Sequence, residues 1–152
     1  MAYSTAEARQ QLLDDLANAV DEVGVALAAL GGAYEELDEQ TGDRLEAELF
    51  RPVQVAYGRA QRTHAGFAER HGLPTRTFKP STAGRASDTA RSLLEAAVEA
   101  IGESEHLLAE IQDSMMPVEV GDAELRAGLA EIRERVAPLP DRAREIERIL
   151  GR

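Results

Sequence analysis

Apolar residues recur every three or four positions along most of the chain, which is the spacing of α-helices that bury one face. The first run follows Ser4 and Glu7, a pair with capping-box spacing, and predicts a helix from Ser4 to about Glu39. Its stripe, with a period of about 3.5 residues, comprises Leu13, Leu16, Val20, Val23, Leu27, Leu30, Tyr34 and Leu37. This stripe is the strongest structural signal in the sequence.

A second helix is predicted from about Asp43 to His71, kinked at Pro52 because proline lacks the amide that the helix needs. Gly72 is suited to a left-handed cap, and Pro74 prevents continuation. The inward stripe comprises Leu49, Val53, Ala56, Tyr57, Ala60, His64, Phe67 and His71. Two histidines are therefore expected on the buried face of this helix.

Two further stripes follow the linker of residues 72–86. The third helix is expected to begin near Ser87 and Asp88 and to stop before Pro117. Its stripe comprises Leu94, Ala97, Val98, Ile101, Glu105, Leu108, Ile111 and Met115. The fourth runs from about Gly121 to the C-terminus and is expected to kink or split at Pro138 and Pro140. Its stripe comprises Leu125, Leu129, Ile132, Val136, Leu139, Ala143, Ile146 and Leu150.

Four apolar stripes are buried most simply against one another. The sequence therefore predicts an all-α, antiparallel up-down four-helix bundle with long kinked helices and one long loop, residues 72–86, between helices two and three. An extended coiled coil is the alternative. The length of 152 residues fits a single helical-bundle domain, residues 1–152.

The charge distribution singles out residues 51–91, here called the basic surface. It holds eight of the 17 Lys and Arg residues against Glu69 and Asp88, in a chain of net charge −11. An anion or an acidic partner is expected to contact it through Arg70, His71, Arg76, Lys79 and Arg85. The alternative is that these cations complement acidic neighbours within one bundle or across a dimer.

The composition limits the chemistry, the cellular location and the partners that the sequence predicts. The chain has no cysteine, which removes thiol chemistry and cysteine-based metal sites, and no signal peptide is recognisable at its start. No run of about 18 apolar residues is present, so a cytoplasmic protein with no membrane association is predicted. The negative net charge makes nucleic acid an unlikely partner.

Candidate chemistry is sparse. Glu103 and His106 form one Glu-x-x-His pair, whereas a di-iron bundle needs two such pairs and further glutamates, so no metal and no cofactor are predicted. His64 and His71 lie about 10 Å apart along a helix, which is too far to share an ion. Glu105 interrupts an apolar stripe and needs a partner if it is buried. A possible buried polar cluster comprises Tyr34, Tyr57, Glu105 and Arg133.

No motif in the sequence identifies a reaction. We therefore predict a non-enzymatic helical interaction module that self-associates, as a homodimer, or binds an acidic protein partner or an anion through the basic surface. The alternative is an enzyme, built on a helical bundle, that binds a small ligand or metal near His64, Tyr57 and His71, beside the long loop.

Overall fold

The computed structural model describes residues 4–80 and 89–150, and these residues are helical except for turns and one extended segment. The helices are α1 (Thr5–Glu35), α2 (Glu39–Leu45), α3 (Arg51–Arg70), α4 (Ala90–Asp113), α5 (Met116–Glu119), α6 (Ala123–Val136) and α7 (Leu139–Leu150), with a π-helical turn, Glu46–Phe50, joining α2 to α3. The described residues contain no strand, so the all-α prediction is confirmed.

Short polar side chains define where the helices begin. The Ser4 hydroxyl accepts the Glu7 amide at 3.1 Å, as the sequence predicts. Asp38 accepts the Thr41 amide at 2.8 Å and starts α2, so the first helix ends at Glu35 rather than near Glu39. Thr89 and Ser92 form a capping box at the start of α4, one residue after the predicted cap at Ser87 and Asp88, which lie outside the described residues.

The prolines interrupt the helices near the predicted positions. Before Pro52 the chain widens into the π-helical turn, in which the Arg51 amide bonds the Glu46 carbonyl five residues back. The fourth predicted helix is divided into α6 and α7 at Ala137 and Pro138. Proline cannot donate the amide hydrogen bond that would continue α6 unbroken.

The core is one connected cluster to which all four predicted stripes contribute. Two stripe residues depart from the prediction: Tyr34 is 43% exposed and Met115 is 52% exposed. Met115 lies beyond the end of α4 with a left-handed φ of 67°, which turns it out of the stripe. Glu105 and His71 are only partly buried.

Neighbouring long helices run antiparallel. Gly31 lies beside Phe50 and Gly24 beside Tyr57, which orients α1 against α3. Gly32 at the end of α1 lies beside Leu93 at the start of α4, so α1 is antiparallel to α4 as well. The helices α3 and α4 therefore run in the same direction.

The link from α3 to α4 must consequently travel along the length of the helices. Residues 73–80 do so as an extended segment over α1 and α3. An up-down order would instead reverse direction at this link, so the predicted up-down topology is not confirmed. The pairwise helix packing is nonetheless compatible with a bundle that has one long crossover connection.

Among the described helices, α1 alone is long and apolar enough to cross a membrane by length and composition, with a mean hydropathy of 1.3 over 18 residues. Of that window, 61% is buried inside the protein. A mostly buried core helix passes the same criterion.

Candidate functional site

The cations at the end of α3, predicted to bind an anion, are engaged by the start of α6. Arg70 donates to both Asp122 oxygens, at 2.8 and 2.9 Å, and to Glu124 at 2.9 Å. His71 Nε2 lies 2.9 Å from Asp122 Oδ2. The hydrogen bond from Arg70 is the main reason why the pKa of Asp122 is far below its usual range, with the Leu125 amide and His71 acting in the same direction against desolvation.

The rest of the predicted anion set lies elsewhere. Arg76 donates to both carboxylate oxygens of Asp21 on α1, at 2.9 and 3.0 Å. Lys79 is exposed, and Arg85 lies outside the described residues. Arg70 and Arg76 thus have separate in-chain acidic partners, on α6 and on α1. The described members of the set do not form one anion site.

The predicted polar cluster does not assemble. Tyr34 is exposed at the end of α1, beside Gly42. Tyr57 lies beside Gly24, ten residues, or about 15 Å, away along α1. Arg133 donates instead to Gln112 at 2.7 Å, and one buried oxygen of Glu105 has no hydrogen-bond partner among the described residues.

The part of the chain that the structure describes contains no group of three or more His, Asp or Glu side chains arranged to hold a metal ion. His106 lies 2.9 Å from Glu110 on the exposed side of α4, and both side chains are largely in water. This pair is a local i, i+4 contact on a helix surface.

Residues 72–80, here called the strap, follow α3 and include the extended segment. Gly72 adopts the predicted left-handed cap, with φ of 65°, and the Leu73 amide bonds the Ala68 carbonyl at 2.8 Å. Phe78 is 8% exposed and meets the His64 ring edge-on, with ring centroids 5.0 Å apart. Arg76 covers Phe78, its guanidinium carbon 4.6 Å from the ring centroid.

Two buried polar atoms lie close to the strap without hydrogen-bond partners among the described residues, namely Tyr57 OH and His64 Nδ1. Tyr57 is 6% and His64 3% exposed. Burial is the main cause that raises the pKa of Tyr57 and lowers the pKa of His64. The structure therefore brings the strap to two of the three residues of the predicted ligand site, whereas His71 faces Asp122.

A Cβ on Gly24 would lie 3.3 Å from the Tyr57 ring and 3.5 Å from the Pro80 backbone, so the strap passes close to α1 here. A side chain at this position would therefore be tight against the Tyr57 ring and in van der Waals contact with the Pro80 backbone. The site is consequently filled by the protein's own residues.

The α3/α6 side, here called the balanced face, pairs its charges. The helices α3, α6 and α7 together carry ten arginines against seven carboxylates. Arg59 lies 2.8 Å from Glu131, which Arg135 also approaches, and Arg70 binds Asp122 and Glu124 as described. The basic surface is thus largely matched by acidic residues of the same chain.

The outward groove between α1 and α4, here called the acidic face, is the opposite case. The two helices carry twelve carboxylates against Arg9 and Arg91. Arg9 donates to the Val120 carbonyl and Arg91 approaches Glu95, so neither serves the middle of the groove. Glu22 of α1 lies within electrostatic reach of Glu99 and Glu103 of α4, and Asp15 and Glu110 line a depression between the same two helices.

The pKa of Glu22 shows the effect of the negative charges that cluster here. Its pKa is raised by partial burial and then by the charges of Glu103, Asp21 and Glu99. The side chains of α1 and α4 meet here with like charges across the helix boundary. The signal for this face in the sequence is the excess of carboxylates in the segments of α1 and α4, twelve against two arginines.

The groove has an apolar floor as well as acidic walls. Val25, Ala96 and Leu107 are partly buried and pack on the core, each three or four residues along its helix from Glu22, Glu99 or Glu103 and hence on the same helix face as that carboxylate. Towards the start of α1 the groove deepens into a depression of about 230 Å³ that Asp15, Leu107 and Glu110 help to line. This combination of apolar floor and acidic rim suits a ligand that is both apolar and cationic.

Comparison with protein-family models, with curated protein sequences and with solved structures finds no match to this chain.

Proposed function

We propose that the chain is a non-enzymatic helical interaction module whose docking surface is the acidic face, and that its partner is a basic amphipathic helix of another protein. The observation that carries this proposal is the convergence of Glu22, Glu99 and Glu103, where no cation of the described residues affects the pKa of Glu22. An unpaired cluster of like charge lowers stability in the free protein, and a cationic partner would relieve the repulsion.

The chemistry of the groove selects the class of partner. A helix with an apolar stripe flanked by Lys or Arg would lay the stripe on Val25, Ala96 and Leu107 and its cations on the acidic walls. Nucleic acid and anionic membrane surfaces would be repelled by the same walls. The proposal therefore retains the predictions that the chain binds neither nucleic acid nor a membrane and that it is cytoplasmic.

The in-chain ion pairs of Arg59, Arg70 and Arg76 favour the view that the basic surface complements acidic neighbours of the same chain. An acidic partner or a homodimer formed through that surface would have to compete with these pairs. For the scaffold we propose one domain, a four-helix bundle with a single crossover, since each neighbouring helix pair is antiparallel.

The test uses a fluorescent amphipathic Leu–Lys helical peptide as the probe, titrated with the full chain at low salt. Triple substitution Glu22→Gln, Glu99→Gln and Glu103→Gln is expected to weaken binding about tenfold, the equivalent of about 1.4 kcal/mol. The matched control neutralises three carboxylates of the balanced face, Glu124, Glu131 and Glu134. Both variants change the net charge equally, so only the location of the charge differs.

Equal weakening by the two variants would show that the peptide responds to net charge alone and would refute a docking surface on the acidic face. Analytical ultracentrifugation of the free chain at the same concentrations tests self-association. A dimer that dissociates in the variant neutralised at Glu22, Glu99 and Glu103 would make a second copy, rather than a basic helix, the occupant.

A small-ligand site is the second candidate function, because Tyr57 OH and His64 Nδ1 are buried near the strap and have no hydrogen-bond partner in the part of the chain that the structure describes. Phe78 and Pro80 occupy the space beside them, so a ligand would have to displace the strap. Native mass spectrometry tests this candidate: mass above that of the chain, lost on denaturation, would favour it over the interaction module. A native mass equal to that of the chain alone would count against it.

A further inference from the structure

His64 is the most enclosed ionisable side chain that contacts the strap. It lies on α3, is 3% exposed, and presents one ring edge contact to Phe78. Its Nδ1 has no hydrogen-bond partner among the described residues. A neutral imidazole tolerates this position better than a charged one, since only the neutral ring can leave Nδ1 without a proton to donate.

We propose that the strap is a proton-sensitive latch, docked on α1 and α3 while His64 is neutral and released when His64 takes up a proton. Protonation would add an N–H donor at the unpartnered Nδ1. It would also place a second cation close to the Arg76 guanidinium, which lies over the same Phe78 ring. Release of Phe78 and Arg76 lets water reach the imidazolium.

The charged groups near His64 come from two elements. From the strap, Arg76 disfavours the imidazolium; from α1, Asp14 and Asp21 favour it. Desolvation is the largest influence and lowers the pKa of His64, so burial together with Arg76 outweighs the two carboxylates. Both oxygens of Asp21 also accept hydrogen bonds from Arg76, which limits what Asp21 offers to His64.

The direction of the pH effect follows from this shift. A histidine free of the strap titrates near pH 6.5, and the docked strap lowers the pKa of His64 below that value. The released state therefore binds the proton more tightly, and docking is weakened as the pH falls below about 6.5. Above that pH His64 is neutral in both states and docking is at full strength.

The strap is the element expected to move, because little else holds it. Apart from the Gly72 and Leu73 amides, the described residues show no backbone hydrogen bond from residues 72–80 to the rest of the chain. Its anchors are the Phe78 ring, the partly exposed ion pair of Arg76 with Asp21, and the Pro80 contact. A segment with so few anchors opens locally while the helices stay folded.

The test follows aromatic ¹H–¹³C NMR signals of the full chain from pH 8 to pH 5 (about one and a half units either side of the ordinary histidine value). We expect the Phe78 ring signals to move to their released positions with the same midpoint as the His64 ring, below 6.5, while far-UV circular dichroism stays constant. His64→Leu should keep the strap docked over the whole range. His64→Gln is the second, polar and uncharged variant, with the same expected result.

Arg76→Ala sharpens the experiment because it removes one anchor of the strap, so a larger fraction of the strap should be released at pH 8 (about one and a half units above the ordinary histidine value), where His64 is neutral, than in the natural chain. The latch is overturned if His64 titrates while the Phe78 signals stay in place, or if the strap of both His64 variants opens at the same pH as in the natural chain. Loss of helix signal at that midpoint would also refute it, since unfolding would then explain the change.

Discussion

The acidic face and the balanced face are built from the same kind of helix pair and differ in how they place charge. Both pairs are antiparallel and bury apolar stripes against one core. On the balanced face Arg59 meets Glu131 of α6 and Arg70 meets Asp122, the N-cap of α6, both at 2.8 Å. On the acidic face Glu22 meets Glu99 and Glu103 instead. Apolar pattern thus determines which helices pack, whereas charge placement determines which surface is left for a partner.

The largest effect is expected from a substitution that disrupts the contact between α3 and α6 under the balanced face. A Cβ on Gly128 would lie 2.4 Å from the Thr63 hydroxyl and 2.7 Å from its methyl group, and Thr63 is itself buried. Gly128→Ala should therefore lower the free energy of unfolding by about 1–3 kcal/mol through overpacking. Urea unfolding followed by circular dichroism measures the change.

Gly102 on α4 provides the matched control, because nothing lies within 4 Å of its missing Cβ. Gly102→Ala should raise the free energy of unfolding by about 0.5–1 kcal/mol through helix propensity alone. A decrease of the same size in both variants would show that Gly128 is not a specific contact.

The next effect removes the carboxylate that joins α3 to α6. Asp122 caps α6 through the Leu125 amide and accepts Arg70 and His71. Asp122→Ala should lower the free energy of unfolding by about 2 kcal/mol, from the lost cap and the lost charge-assisted bonds. Thermal and urea unfolding at neutral pH test it, with Asp122→Asn as the variant that keeps much of the cap.

The same carboxylate predicts a pH dependence. Its pKa is depressed in the folded protein, so its contribution to stability is complete above the ordinary carboxyl value of about 4 and is lost as the pH falls below it. The Asp122→Asn variant should lack this part of the acid destabilisation. An unchanged difference between variant and natural chain from pH 7 to pH 3 (about one unit below the ordinary value) would contradict it.

A third effect concerns Glu105, the carboxylate on the core side of α4. One of its oxygens is buried without a partner among the described residues. Glu105→Leu should raise the free energy of unfolding by about 1 kcal/mol, because an apolar side chain loses no hydration there. A decrease would instead indicate that Glu105 has a stabilising partner, as the predicted polar cluster required.

The smallest effects are expected from one substitution on each face, and they compare the two faces directly. Glu131→Gln removes the partner of Arg59 and should lower the free energy of unfolding by about 0.2–1 kcal/mol. Glu103→Gln removes a like charge near Glu22 and should raise it by a few tenths of a kcal/mol. Added salt should shrink both differences. Changes of the same sign in the two variants would contradict the contrast between the faces.

Much of the fold follows from the apolar spacing. The helices near the predicted bounds, the interruptions at Pro52 and Pro138, and the Gly72 cap are all local consequences of residue type. The direction in which α4 runs is not determined by local residue type. The linker of residues 72–86 is long enough for either a loose turn or a crossover, and the extended path depends on contacts with distant segments, namely Phe78 with His64, Arg76 with Asp21 and Pro80 with α1.

The candidate site was harder to predict from the sequence, because it too depends on contacts between segments that are distant in the chain. Arg70 and Arg76 look like one basic cluster in sequence, but their acidic partners lie on α6 and α1, which no short-range pattern reveals. His64 and Tyr57 were identified as inward residues from the helix period alone. That they lie beside a strap required the crossover to be known.

The most direct test of the acidic face as a docking surface is residue-resolved NMR of the ¹⁵N-labelled chain during titration with the Leu–Lys helical peptide. The account predicts amide shift changes concentrated around Glu22 and Val25 on α1 and Glu99, Glu103 and Leu107 on α4, with α3 and α6 nearly unchanged. Shift changes concentrated on α3 and α6, or spread evenly over all helices, would contradict it.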